Sequence, residues 1–179
     1  DVARSIYGKL TLDPQVLSPL DVAASVAATF HGAIRREVEI TVDGPRAWVR
    51  VDPTRLRQMI ENLVDNAQKA GARHIRMLVV EDGDSVELRV ADDGVGIPPE
   101  LLPHLFEPFV QGKQPIDRAA GGLGLGLALC HRLALAHGGS LHAQSAGRGK
   151  GSTFTIRLPK SPPPVATPVP TGATSAPAR

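Results

Sequence analysis

The sequence has little of what disulfide-stabilised, membrane-spanning and nucleic-acid-binding proteins need. Its single cysteine, Cys130, excludes an intramolecular disulfide framework and a cysteine-built zinc site, and it favours a reducing, cytoplasmic setting. No apolar run approaches the roughly 20 residues that cross a bilayer. Aromatic residues make up only 3% of the chain, and no block of five like charges occurs. A nucleic-acid partner is therefore not expected, because stacking platforms and a basic stripe are both missing.

What the sequence does contain is typical of one globular domain with a different composition at each end. Hydrophobic residues account for 42% and charged residues for 21% of 179 residues, which is ordinary globular usage. Residues 159–179 are rich in Pro, Ala and Thr, and we expect a disordered linker there because such a segment buries too little apolar surface. Residues 1–19 resemble the end of a preceding helix, broken by Pro14 and Pro19. The domain is therefore predicted at residues 20–158, within a longer protein.

Helical and alternating patterns follow one another along this domain. Apolar spacing predicts three helices, over residues 20–36, 53–70 and 124–137. The second begins with Asp52 as N-cap and Pro53 in the first turn. Alternating residues predict a hairpin at 37–43 and 46–52, and further strands at 75–80, 86–91, 140–145 and 152–158. The predicted fold class is α/β, a two-layer sandwich of about three helices on a mixed, largely antiparallel sheet.

The helix that ends near residue 70 carries two different stripes. Its apolar stripe is expected to pack on the sheet and contains Leu56, Ile60, Leu63, Val64 and Ala67. A polar stripe, within roughly 80° of arc, contains Gln58, Asn62, Asn66 and Lys69. Amide oxygens suit Mg²⁺, and the ammonium of Lys69 can meet a phosphate. A polar helix face without a ligand also explains this stripe when it is taken alone.

The second cluster is VADDGVGIPPE at residues 90–100, in which a predicted strand ends at Ala91 and Asp92-Asp93-Gly94-Val95-Gly96 follows. Glycines at alternate positions let the backbone bend and let a ligand approach closely. The carboxylate of Asp92 can accept a hydrogen bond from an exocyclic amine, which suits adenine. An ordinary Asp-Gly turn is the alternative for this cluster in isolation.

Two glycine-rich segments complete the set. The first runs into a helix, whose free backbone N–H groups can bind an anion, and contains Gly121, Gly122, Gly124 and Gly126. The GxGxG spacing does not fit a dinucleotide-binding fingerprint, and no GKS or GKT follows as in a Walker loop. A glycine hinge without a ligand is the alternative. The second segment, GRGKGSTF at 147–154, is by itself typical of a hairpin loop.

The order of these segments is more specific than any one of them. NLVDNAQKA, DDGVGIP, LFEPF, GGLGLGLALC, AHGG and GKGSTF follow one another within about a hundred residues. This order resembles the catalytic ATP-binding domain of sensor histidine kinases, a branch of the GHKL or Bergerat-fold ATPases. The resemblance covers residues 20–158 and implies a mobile ATP lid at 110–121. It also implies ATP and Mg²⁺ as cofactors, and it makes residues 1–19 the end of a helical dimerisation segment.

The resemblance implies a role for individual residues. The metal ligand would be Asn66 supported by Asn62, and the catalytic set would be Asn62, Asn66, Lys69 and Arg118, the last two contacting phosphates. Asp92 would hold the adenine amine, Gly96 would leave room for the base, and Phe106 and Phe109 would anchor the lid. The rest of the nucleotide site would be Gly94, Gly122, Leu123, Gly124, Leu125, Gly126 and Ser152. The chain departs from the family at Ala70, where an aromatic residue is common, so we expect a more open pocket.

The resemblance also bears on the reaction and the partners. Hydrolytic relatives place a Glu one turn before the metal-binding Asn, but here that position is Asn62, which cannot act as a base. Glu61 lies about 100° around the helix and should not replace it. None of the six His residues is followed by an acidic residue, so the acceptor His is expected on a dimerisation domain outside this chain.

Expected partners are that dimerisation domain and a response regulator or receiver domain. The parent protein is expected to be a homodimer, and the chain alone a monomer. The C-terminal segment fits a linker to a receiver domain, with a natural or artificial terminal extension as the alternative. A non-catalytic nucleotide-binding or interaction module is the alternative function.

Overall fold

Three α-helices pack on one face of a five-stranded sheet in the computed structural model, which describes residues 11–33, 38–108 and 125–165. The helices are α1 (Pro19–Ala33), α2 (Pro53–Lys69) and α3 (Gly126–Ala136), with a short 3₁₀ turn at Leu102–His104. The strands are β1 (Gln15–Leu17), β2 (Glu39–Asp43), β3 (Val49–Val51), β4 (His74–Asp82), β5 (Ser85–Asp92), β6 (Ser140–Gln144) and β7 (Ser152–Pro159).

The main sheet is mixed and largely antiparallel, as predicted. Its strand order is β2-β4-β5-β7-β6, and within it only β2 and β4 run parallel. The antiparallel register places Asp92 at the end of β5 opposite Ser152 at the start of β7. This pairing matters for the site, because it brings two distant sequence motifs to one edge of the sheet.

The predicted hairpin at 37–43 and 46–52 is wrong. β2 pairs in parallel with β4, whereas β3 pairs antiparallel with β1 in a separate two-stranded sheet. Both apolar residues of β3, Val49 and Val51, are fully buried. Alternation on both sides of Gly44-Pro45 predicts a local hairpin, but the actual partner of β3 lies more than thirty residues earlier in the chain. Residues 15–17 supply that partner.

Helix α2 begins and packs as the sequence predicts. Asp52 is its N-cap: its Oδ1 accepts the N–H groups of Thr54 and Arg55, at 2.9 and 3.1 Å. The Oδ2 atom accepts the N–H of Asp13 at 3.0 Å, which joins the segment before β1 to the helix start. The predicted apolar stripe is buried together with Met59. Local capping chemistry and helical periodicity are therefore sufficient to place this helix.

We expect Asp52→Ala to lower the free energy of unfolding by about 1–2 kcal/mol at pH 7. The hydrogen bond from the Asp13 N–H, followed by those from the helix start, holds the pKa of Asp52 below its ordinary value of 3.8. Because the folded-state pKa is lowered, this stabilisation is complete above 3.8 and is lost as the pH falls through the folded value. Urea denaturation at pH 7 and at about pH 3 checks the prediction. If Asp52→Ala lowers the free energy of unfolding by the same amount at both pH values, the prediction is contradicted. Asp52→Asn, which keeps an acceptor oxygen, is the control.

The ends of the predicted elements differ from the structure by a few residues. Helix α1 is described from Pro19 to Ala33, and the predicted end at residue 36 lies outside the described residues. Strand β7 includes Pro159, and the following residues still contact the domain: Lys160 bridges to Val49, and the Ser161 N–H donates to the Trp48 carbonyl at 2.8 Å. The division at 19 and 159 into preceding segment, domain and linker stays a prediction, and residues 166–179 are not described.

Helix α3 stops at the predicted glycine pair, and its end contacts α2. Gly138 has φ +73°, a value that favours glycine. The Nδ1 of His137 lies 2.7 Å from the Leu133 carbonyl, and its Nε2 accepts the Asp52 N–H at 3.1 Å. The end of α3 is thereby joined to the start of α2. Among the described residues, no helix has both the length and the apolar character to cross a membrane.

Candidate functional site

A cavity of about 610 Å³ lies between the second half of α2, the loop after β5 and the loop before β7. This volume is in the range of small-molecule sites. Most of its wall is apolar, formed by Ala67, Ala70, Val95, Ile97, Pro98, Leu101, Leu105, Leu127 and Phe154. A few polar side chains converge in it: Asn66, Asp92, Glu100, Arg148 and Ser152. An apolar wall with a few placed polar groups is what binding of a flat, partly polar ligand requires.

The carboxylate of Asp92 is held in a fixed orientation. Its Oδ1 accepts the Gly94 N–H at 2.8 Å, and its Oδ2 accepts the Ser152 hydroxyl at 2.5 Å. The strand register explains the second bond, because Asp92 and Ser152 are direct partners across β5 and β7. Each carboxylate oxygen can accept more than one hydrogen bond. Asp92 therefore retains acceptor capacity for a donor in the cavity.

Asn66 carries a buried amide donor that has no hydrogen-bond partner among the described residues. In the described part of the chain, three buried side-chain atoms have no hydrogen-bond partner: Asn66 Nδ2, Gln68 Nε2 and Ser18 Oγ. Leaving such an atom unpaired costs about 1–3 kcal/mol. Of these three side chains, Asn66 alone lines the cavity. Its amide is thus available to a ligand, and a half-turn of the amide presents Oδ1 in place of Nδ2.

Asn62 lies one turn before Asn66 and faces the start of α3. Its Oδ1 is 3.6 Å from the position that a Cβ on Gly126 would take, an ordinary contact distance. Leu125, which precedes Gly126 and is the N-cap residue of α3, is half-buried. Burial raises the pKa of Cys130 in α3 to about 12, and the side chain of Asn62 opposes that shift. Asn62 therefore contacts the first turns of α3.

Lys69 is not brought into the cavity. Its Nζ pairs with Asp65 Oδ2 at 2.6 Å on the outer side of α2, where both side chains are nearly half exposed. Its predicted contact with phosphate stays a prediction. Arg118, Gly122, Leu123 and Gly124 lie outside the described residues, as do the predicted lid at 110–121 and Phe109. Phe106, just before that segment, stacks on the His131 ring of α3 with centroids 5.1 Å apart.

The two glycine loops at the cavity are joined to each other by backbone hydrogen bonds. The Gly149 N–H donates to the Val95 carbonyl at 2.7 Å, and the Gly151 N–H donates to the Gly94 carbonyl at 3.1 Å. At Gly96, φ is +71° and a Cβ would lie 2.1 Å from the Gly147 carbonyl oxygen. Glycine is therefore required at Gly96 by the contact with the second loop, in addition to the predicted room for a base.

The two adjacent carboxylates of the DDG motif point to different places. Asp93 accepts the N–H groups of Arg73 and His74, at 2.8 and 2.9 Å, and pairs with the His74 ring at 2.7 Å. These bonds, led by the His74 N–H, hold the pKa of Asp93 at about 2, and the Asp93 carboxylate raises the pKa of His74. Asp93 thus ties the connection after α2 to the end of β5.

Several cavity residues were not predicted as site residues. Arg148 belongs to a loop that the sequence marked only as a hairpin loop, and Glu100 follows the DDGVGIP motif. Phe154 is two residues after Ser152 on β7, so strand alternation places both on the same face. That alternation was the available signal for Phe154. Nothing in the sequence alone singles out Glu100.

Solved structures with this fold define its class. The catalytic domain of histidine kinase ThkA matches with a TM-score of 0.72 at 26% identity, covering 84% of this chain and all of that one. Full-length ShkA in complex with AMPPNP matches with a TM-score of 0.74 at 29% identity, covering 89% of this chain and 34% of that one. The fold is that of histidine kinase catalytic domains.

Residues 51–162 match the family of histidine kinase-, DNA gyrase B- and HSP90-like ATPases, and the chain belongs to this family. Its similarity extends to sensor kinases. The signal transduction histidine-protein kinase AfsQ2 of Streptomyces coelicolor is 36% identical over 152 residues, 84% of this chain and 28% of that protein. The sensor histidine kinase RcsC of Escherichia coli is 37% identical over 165 residues, 89% of this chain and 17% of that protein. The chain thus spans less than a third of these two relatives.

Proposed function

We propose that this chain is the catalytic domain of a two-component sensor histidine kinase. In this proposal it transfers the γ-phosphoryl group of Mg·ATP to a histidine on a dimerisation domain outside the chain. The observation that carries the proposal is the convergence of Asn66, Asp92 and Ser152 on one cavity. The membership of the chain in an ATPase family, and its similarity to sensor kinases, support it.

In the proposed complex the adenine lies at the Asp92 end of the cavity. The Asp92 carboxylate accepts a hydrogen bond from the exocyclic amine, while Ser152 and the Gly94 N–H keep the carboxylate from rotating. The apolar wall excludes water from the base, which strengthens this bond. Adenine recognition therefore needs one charged acceptor and a preformed wall.

The amide side chains of α2 fit Mg²⁺ bound together with phosphates. Mg²⁺ prefers hard oxygen ligands and in phosphate sites usually takes only one or two from the protein. The amide oxygen of Asn66, a side chain that lines the cavity, is such a ligand, and Asn62 one turn away supports it from the α3 side. The ion, when bound, supplies neutralising charge to the phosphates. We propose that Lys69, Arg118 and the segment Gly122–Gly126 contact the same phosphates.

The described residues of α2 favour transfer over hydrolysis. Asn62 cannot take a proton from water, and the Glu61 carboxylate lies 3.6 Å from the Arg57 guanidinium on another side of the helix. The proposed nucleophile is a histidine nitrogen of the partner domain. It forms a bond to the γ-phosphorus as the bond to the β–γ bridging oxygen breaks, and the electron pair leaves with ADP. A response regulator or receiver domain would then accept the phosphoryl group.

One observation favours the alternative of a nucleotide-binding module without kinase activity. The Lys69 ammonium is paired with Asp65 outside the cavity, so among the described lining residues Arg148 is the one cation. In that alternative, nucleotide binding alone would change how the domain contacts its partner.

Phosphotransfer in trans separates the two functions. We expect the chain, mixed with the histidine-bearing dimerisation segment of its parent protein and γ-labelled ATP, to produce acid-labile, alkali-stable phosphohistidine on that segment. The same segment with its acceptor histidine replaced is the control. Calorimetric titration with AMPPNP, with and without Mg²⁺, tests nucleotide binding separately. Binding without phosphohistidine would favour the binding module, and absence of binding would refute both.

A further inference from the structure

Among the described residues that line the cavity, Arg148 carries a guanidinium to which the proposed mechanism assigns no function. This residue lies in the loop between β6 and β7 and lines the cavity. Its side chain is exposed, and within the described part of the chain no hydrogen bond or ion pair engages it. Glu100 lines the same cavity, yet the two side chains do not form an ion pair. The guanidinium is thus available to a ligand.

The backbone that carries Arg148 is fixed on both sides. Beyond Arg148, the Gly149 N–H donates to the Val95 carbonyl at 2.7 Å. Before it, the Gly147 N–H donates to the Ser145 hydroxyl at 3.2 Å, and that hydroxyl in turn donates to the Gly151 carbonyl at 2.7 Å. Arg148 is therefore held against the loop that follows Asp92. A side chain on such a support loses less entropy on binding than one on a free loop.

A planar base in this cavity has little aromatic surface to stack on. Phe154 is the single aromatic side chain among the described lining residues, and only 6% of its surface is exposed. Val95, by contrast, is 54% exposed beside the Arg148 loop. The open side of the cavity thus offers an aliphatic side chain and a guanidinium. A guanidinium is planar and weakly hydrated, and it stacks on aromatic rings.

We propose that Arg148 stacks on the face of the nucleobase whose amine Asp92 holds, and so determines nucleotide affinity through the base and not through the phosphates. This inference rests on the proposed function. Asp92 and Ser152 bind the edge of the base, the apolar wall covers one face, and Arg148 covers the other. The contact depends on the plane of the guanidinium as well as on its charge, so Lys at this position is not equivalent.

The test compares three variants and three ligands by calorimetry on the full 179-residue chain. The variants are Arg148→Ala, Arg148→Lys and, as a matched control, Lys150→Ala, an exposed cation of the same loop that does not line the cavity. The ligands are AMPPNP, ADP and adenosine, the last measured by competition with ADP. Thermal melting of each variant checks that the fold is intact.

We expect Arg148→Ala to weaken all three ligands by a similar factor, about 5- to 30-fold, the range of a cation–π contact of about 1–2 kcal/mol. Arg148→Lys should lose most of the same affinity, and Lys150→Ala should bind like the wild type. Loss confined to AMPPNP and ADP would overturn the inference in favour of a phosphate contact. Unchanged affinity of Arg148→Ala for all three ligands, or wild-type affinity of Arg148→Lys, would also overturn it. Failure of the wild type to bind AMPPNP would instead refute the proposed function.

Discussion

Asp92→Asn should weaken AMPPNP binding about 10- to 100-fold, because a hydrogen bond to a charged group contributes about 1.5–3 kcal/mol. The substitution keeps the shape of the side chain. One amide oxygen still accepts the Gly94 N–H, and the amide nitrogen can donate to the Ser152 hydroxyl, so the bonds that hold the loop survive. What is lost is the charged acceptor for the adenine amine. Calorimetry and a melting curve measure both effects.

The neighbouring residue provides a matched control for this prediction. Asp93→Asn changes the next carboxylate in the chain, which bonds Arg73 and His74 and does not line the cavity. We expect it to alter AMPPNP affinity less than about threefold, while its melting temperature falls more than that of Asp92→Asn. If both variants lose affinity equally, Asp92 acts on the loop and not on the base.

Guanine nucleotides make the same prediction sharper. A guanine base carries a carbonyl oxygen where adenine carries the amine, so the carboxylate of Asp92 opposes it. The amide of Asp92→Asn can donate to that oxygen. The preference for AMPPNP over GMPPNP should therefore fall by at least about tenfold in this variant. A preference that does not change would show that the carboxylate has no contact with the base.

The sequence was sufficient to predict the parts of the fold that depend on local chemistry. Asp52 and Pro53 mark the start of α2, the apolar stripe determines its buried face, and Gly138 ends α3. It was not sufficient for β3, because strand pairing is non-local and the partner, β1, lies more than thirty residues earlier. A three-residue strand carries too little pattern to identify its partner.

In the candidate site, too, some residues could be predicted from local motifs, whereas others depend on contacts that the sequence does not reveal. Asp92 and Ser152 were both predicted, and the antiparallel register of β5 and β7 explains why they meet. Lys69 shares the helical stripe of Asn66, but its long side chain reaches back to Asp65, a partner one turn away that the stripe does not reveal. Arg148 lies in the cavity only because two loops bond to each other through backbone groups. The glycines that such backbone contacts require are visible in the sequence, but they do not indicate which two loops meet.

Asn66→Ala is expected to remove the dependence of nucleotide affinity on Mg²⁺. In the wild type, Mg²⁺ should tighten AMPPNP binding, because the amide oxygen and the phosphates share the ion. The variant should lose about 10- to 100-fold of affinity in the presence of Mg²⁺, equivalent to about 1.4–2.7 kcal/mol. Adenosine, which carries no phosphate to share an ion, should bind both proteins equally. Paired titrations with and without Mg²⁺ measure the difference.

Gln68 provides the control for Asn66, since the two share a helix and a structural feature. Each has a buried amide nitrogen without a partner in the described residues, but Gln68 does not line the cavity. Truncation of either removes an unpaired buried donor, so neither variant should melt more than about 4 °C below the wild type. If only Asn66→Ala loses the Mg²⁺ effect, the unpaired amide is kept for the ligand at a cost to the stability of the free protein. Loss of the effect in Gln68→Ala as well would mean that helix packing, and not ligation, explains it.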